Sequence, residues 1–134
     1  MAGSSSTMSA RSLVKFHLGD ETKMMDKITI DWVGDSANGT VPTLVLQGVQ
    51  GYLVQAITNP GSTGPTDNYD ITLVDSEAAD RAAGGLVDRD TANTEVKVFD
   101  PAPFLDGGDL TVTWANTSVN NATGRLILYV ADVR

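Results

Sequence analysis

The side chains able to do chemistry in this chain are few: one histidine, His17, two tryptophans, Trp32 and Trp114, and seventeen carboxylates, with no cysteine. A lone imidazole excludes every two-histidine zinc motif, and the missing thiol excludes disulfide scaffolds, cysteine-ligated zinc and thiol catalysis. A serine-histidine-aspartate triad would have to form around His17, which falls on the polar side of an alternating segment and reads as an ordinary surface histidine. Asp106 and Asp109 are the carboxylate pair nearest a glycosidase arrangement, which needs two acids facing across a cleft roughly 5–10 Å wide. They flank Gly107-Gly108, the composition of a hairpin turn, and read as loop residues. Asp75, Glu77, Asp80, Asp88 and Asp90 offer oxygen ligands for calcium, but their spacing matches no EF-hand loop and suits a solvated acidic loop. Trp32 and Trp114 lie on apolar strand faces, where core packing outweighs sugar stacking. The expectation is a protein without catalytic residues, metal or cofactor.

The elements that carry these side chains show a period of two. From Leu13 onward Val14, Phe16 and Leu18 alternate with Lys15 and His17, and Ile28, Ile30 and Trp32 alternate with Lys27, Thr29 and Asp31. Half-buried strands have this pattern. Further alternating strands are expected around Ile71 and Leu73, Val96 and Val98, Val112 and Trp114, and Leu126 and Leu128. Ser76 is a capping residue before the helix formers of 77–83, and Gly84-Gly85 can end a turn, so one short helix is expected there. Asn38, Asn116 and Asn121 begin Asn-x-Ser/Thr triplets, which mark exposed loops. The fold class is all-β: an antiparallel β-sandwich, jelly-roll or Ig-like, of about eight short strands with at most one short helix. Its expected core is Val14, Phe16, Ile28, Ile30, Trp32, Ile71, Leu73, Val112, Trp114, Leu126 and Leu128.

With 134 residues the chain fits one domain, and 41% apolar content can supply a core without staples. Residues 1–10 are small and polar and read as a flexible N-terminal arm, with 11–134 as the single sandwich domain. They also lack the basic start and apolar run of an export signal. A formal charge of −8 opposes a phosphate backbone or an anionic membrane, so neither nucleic acid nor membrane is an expected partner. Eleven of the seventeen acids fall within 67–109, which predicts an acidic rim. The runs 44–46 and 52–57 are apolar on both faces, and Leu53, Ile127 and Tyr129 add exposed apolar candidates. A monomeric sandwich cannot cover such surface, which predicts a closed symmetric assembly, a homotrimer.

The segments Gly51-Tyr52-Leu53-Val54, Thr58-Asn59-Pro60-Gly61, 65–73 and 89–95, followed by 110–114 and 124–129, together resemble small structural proteins of tailed bacteriophage particles. The resemblance covers about two-thirds of the chain, roughly residues 40–130, and rests on turn and strand features. The chain departs from that pattern at 78–83, where a Gly-rich turn is more typical. Residues 110–114 and 124–129 look like the last hairpin of such proteins. What the resemblance implies is a non-enzymatic virion protein, made in the host cytoplasm and placed on the capsid surface. It would be a capsid decoration or cement protein whose partners are the major capsid protein and its own copies. A phage fibre or tail adhesion module recognising host glycans is the alternative, and a small hydrolase stands last because no acid/base pair stands out.

Overall fold

A computed structural model describes residues 4–131, apart from the side chains of Phe16, His17, Leu18 and Lys23. The described residues form nine strands and no helix: β1 (Ser5–Leu18), β2 (Glu21–Val33), β3 (Leu44–Leu46), β4 (Gln50–Pro60), β5 (Asp70–Val74), β6 (Glu95–Val98), β7 (Phe104–Asp106), β8 (Leu110–Ala115) and β9 (Thr123–Ala131). Six strands make one sheet in the order β1-β2-β9-β4-β6, with β7 also pairing with β4; β3-β8-β5 make a second sheet. Every pairing is antiparallel, and the two sheets enclose one core. The all-β sandwich expected from period-two patterning is the fold observed.

After the β1–β2 hairpin, the chain crosses between sheets at nearly every connection, which is why turn formers separate the strands. Ile28, Ile30 and Trp32 of β2, Leu126 and Leu128 of β9, Leu53 and Ala56 of β4 meet Ile71, Leu73, Val112 and Trp114 of the smaller sheet, all buried. Burying a large aliphatic side chain contributes about 1.5–3 kcal/mol, so this layer dominates folding. At one end of the core Trp32 packs tilted against Tyr69 and Trp114, with ring centroids 5.7 and 6.2 Å away. Gly124 lies directly across from Trp32 in the β2–β9 ladder, and a Cβ there would collide with the indole. The residue between Thr123 and Arg125 therefore has to be glycine for β9 to approach the ring.

Several expectations are corrected. Residues 5–10 do not form a free arm: they are the first part of β1, paired with Thr29–Val33, while residues 1–3 lie outside the described residues. Val14 is 42% exposed and does not join the core. It pairs with Met25, whereas Arg11, Met8 and Ser6 stand opposite the core residues Ile28, Ile30 and Trp32. Directly paired residues share a face, so Val14 projects from the side of the sheet away from the core. The Phe16 side chain, also expected in the core, lies outside the described residues. No helix forms at 76–85, where consecutive turns take its place. Asp75 Oδ1 accepts the N–H groups of Glu77 and Ala79, and Asp80 accepts those of Leu73, Ala82 and Gly84, so aspartate side chains take the role of helical carbonyls. β8 and β9 belong to different sheets and form no hairpin. Leu53 is fully buried rather than exposed.

Candidate functional site

Cross-strand register assigns the described side chains of the six-stranded sheet to the core or to the outside. On the outside, four rows run across the strands. The first is Phe104, Tyr52, Ala131, Met25, Val14 and the second is Val98, Gln55, Tyr129, Lys27, Ser12. The third is Val96, Ile57, Ile127, Thr29, Ala10, and a fourth holds Asn59, Arg125, Asp31 and Thr7. Two of the four rows are mainly apolar, and the second sets Val98 and Tyr129 among Gln55, Lys27 and Ser12, although no described strand covers them. Val98 is 63% exposed and Val96 55%, and Ile57, Ile127 and Tyr129 in the middle of the sheet are half-buried only by their neighbours.

Aromatic and charged groups give this face local order. Tyr52 and Phe104 meet edge to face at 5.4 Å, and the Lys27 ammonium stands 5.9 Å from the centre of the Tyr129 ring. The fourth row is polar: Arg125 Nε donates to Asp31 Oδ1 at 2.7 Å, a guanidinium that holds the Asp31 carboxyl below the usual carboxylate range. Beside this pair opens a cleft of about 340 Å³ lined by Asp31, Val33, Asn59, Pro60, Thr123 and Arg125. The smaller sheet is different outside. Its rows there pair Thr72 with Thr113, Asp70 with Ala115, and Thr111 with Val45 and Val74. Threonine hydroxyls keep that surface wettable, so the sandwich has one polar outer face and one apolar one.

Among the described residues, the acidic candidates with hydrogen-bond partners hold turns and loops. The His17 side chain lies outside the described residues. Asp106 ends β7 and accepts the N–H of Gly108 at 3.0 Å, which shapes the turn to β8. Asp90 accepts the N–H groups of Ala92 and Asn93, which lower its pKa, and Asp88 donates its own N–H to Asp70. The carboxylates of Asp70, Asp75, Asp80 and Asp90 serve loop structure, and among the described residues no three acidic or histidine side chains form a group able to hold a metal ion. Trp32 and Trp114 are buried in the core, as the strand faces predicted. Asn38, Asn116 and Asn121 are exposed loop residues.

Sequence reasoning pointed to Ile127 and Tyr129 but missed the face as a whole. The available signal was that both alternation sets of β9, Leu126 with Leu128 and Ile127 with Tyr129, are apolar. Arg11 was also missed. Its guanidinium reaches Asp26 at 2.6 Å and donates to the carbonyls of Gln47 and Gly48, tying β1 to the β3–β4 turn. Comparison of the chain with protein-family models, curated proteins and solved structures finds no match.

Proposed function

We propose that this protein is a non-enzymatic structural component of a bacteriophage particle, a capsid decoration protein that acts as a homotrimer. It binds the outer surface of the major capsid protein and stabilises the head. The observation that carries this reading is the contrast between the two outer faces: a threonine-lined sheet that suits water and a larger apolar sheet that suits protein cover. Such a task uses surface complementarity repeated over many copies and draws on no reacting group. The phage assignment itself rests on the turn-and-strand resemblance of residues 40–130.

Co-sedimentation of the purified chain with mature, expanded phage heads tests it. Bound protein should raise the heat resistance of those heads, because a ligand that binds only the assembled state stabilises that state by mass action. Heads that neither bind the protein nor gain resistance at any ionic strength overturn the reading. The exposed Tyr52–Phe104 pair is the one feature favouring a glycan-binding fibre or tail module, since such rings can stack on sugars. Glycan binding lost in Tyr52→Ala, with no binding to heads, would select that module instead.

A further inference from the structure

We infer that the apolar outer face of the six-stranded sheet is covered by two further copies of this chain, packed around a three-fold axis that runs along the strands. The inference rests on the homotrimer of that reading but needs no capsid, so its failure and a failure of head binding are distinguishable. Five strands about 4.8 Å apart make a face ~24 Å wide, and the nine residues of β9 make it ~30 Å long. That is on the order of 700 Å² in projection, divided between two neighbours, so each copy commits in total about the ~800 Å² per partner of one stable protein interface. Three flat faces ~24 Å wide close into a triangular prism whose walls stand ~7 Å from the axis. Packed sheets lie ~10 Å apart, so each wall fills about half that distance with side chains and three walls fill the prism.

Charge agrees with a copy as the occupant. The molecule carries −8, but in the four rows of this face the only ionised side chains are Asp31, Arg125 and Lys27. The face therefore holds none of the net negative charge, and like molecules meet there without the repulsion that the 67–109 loops would impose.

Rotation about an axis along the strands preserves height, so each row of one copy ends where the same row of the next begins. The second row ends in Ser12 on β1 and Val98 on β6, both exposed. Within one copy these two positions are four strand spacings apart, ~19 Å, far beyond the 4.4–6.8 Å Cα separation of a disulfide. Between neighbouring copies they meet.

The full chain has no cysteine, which makes the test clean. Light scattering should give about three times the 14.1 kDa chain mass. Under mild oxidation the Ser12→Cys/Val98→Cys variant should migrate as a covalent trimer. When the Ser12→Cys and Val98→Cys single variants are mixed, a disulfide should join one to the other, and neither single variant should cross-link with itself. Ile127→Lys should be monomeric with an unchanged circular dichroism spectrum, whereas Thr113→Lys on the polar sheet should remain trimeric. A native-spectrum monomer at micromolar concentration, a dimer, or self-cross-linking of either single variant overturns the inference.

Discussion

At the scale of single residues, three positions hold the sandwich in ways that can be measured. Arg11 neutralises Asp26, which is only 7% exposed. Removing one partner leaves a desolvated charge, so Arg11→Ala should cost about 2 kcal/mol in urea unfolding. Because Asp26 sits beside Leu13 and Val130 in its row, the double variant Arg11→Ala/Asp26→Val should recover most of that loss. Gly124→Ala should cost about 1–3 kcal/mol by forcing β9 away from the Trp32 indole, seen as a lower urea midpoint at unchanged slope. Tyr69 gives a pH signature. Burial pushes its phenol up to about 12 from the ordinary 10.0. The folded state thus keeps a proton that the unfolded chain loses near pH 10. The Tyr69 contribution is complete below pH 10 and is lost as pH rises toward 12, by at most about 2–3 kcal/mol. Thermal melts between pH 9 and 12 should fall less steeply for Tyr69→Phe than for the parent chain.

At the scale of elements, β1 is the strand whose removal is most informative. Ser5, Ser6, Thr7, Met8 and Ala10 pair with Val33, Trp32, Asp31, Ile30 and Thr29, and the Ser6 hydroxyl donates to the Pro42 carbonyl at 2.7 Å. Deleting residues 1–10 uncovers the edge of β2 beside the core residues Ile30 and Trp32. A few lost backbone bonds amount to about 2–3 kcal/mol, so the thermal midpoint should drop by roughly 5–15 °C. An unchanged midpoint would mean that these residues contribute nothing to the fold.

The same strand shows what the sequence makes legible. Central strands such as Leu126–Val130 and Ile28–Trp32 announce themselves, because burial of one face demands a strict alternation of apolar residues. β1 is an edge strand that reaches past the smaller sheet; Thr7 to Lys15 are exposed, and no core selects its residue types. Its small polar start therefore looks like an unstructured arm, and a register shift between Met8 and Ala10 changes which residues face the core. The 76–85 turns were hidden for another reason. Alanine and glutamate favour a helix, but the Asp75 and Asp80 carboxylates capture the backbone N–H groups locally, with Ala78 and Ala83 at positive φ. The apolar face was legible residue by residue but not as a surface, since it arises only when six strands from distant parts of the chain align their rows.

At the scale of the whole molecule, charge and apolar surface are segregated, and salt should separate their roles. Each copy carries −8, so three copies bring −24 together, while the face that joins them is nearly neutral. The attraction is apolar and hardly depends on ionic strength, whereas repulsion among the acidic loops acts over about 30 Å at 0.01 M salt and about 10 Å at 0.1 M. Self-association should therefore tighten as salt rises. A capsid contact made through the acidic loops against a basic patch would respond the other way, because screening removes the attraction that drives it. Sedimentation equilibrium at 10, 100 and 300 mM sodium chloride, beside co-sedimentation with phage heads over the same series, measures both. The expected result is opposite slopes: tighter trimers and weaker head binding. Trimer dissociation with rising salt would mean that ionic contacts, not the apolar rows, hold the copies together. Head binding that is indifferent to salt would place an apolar surface rather than the 67–109 loops against the capsid.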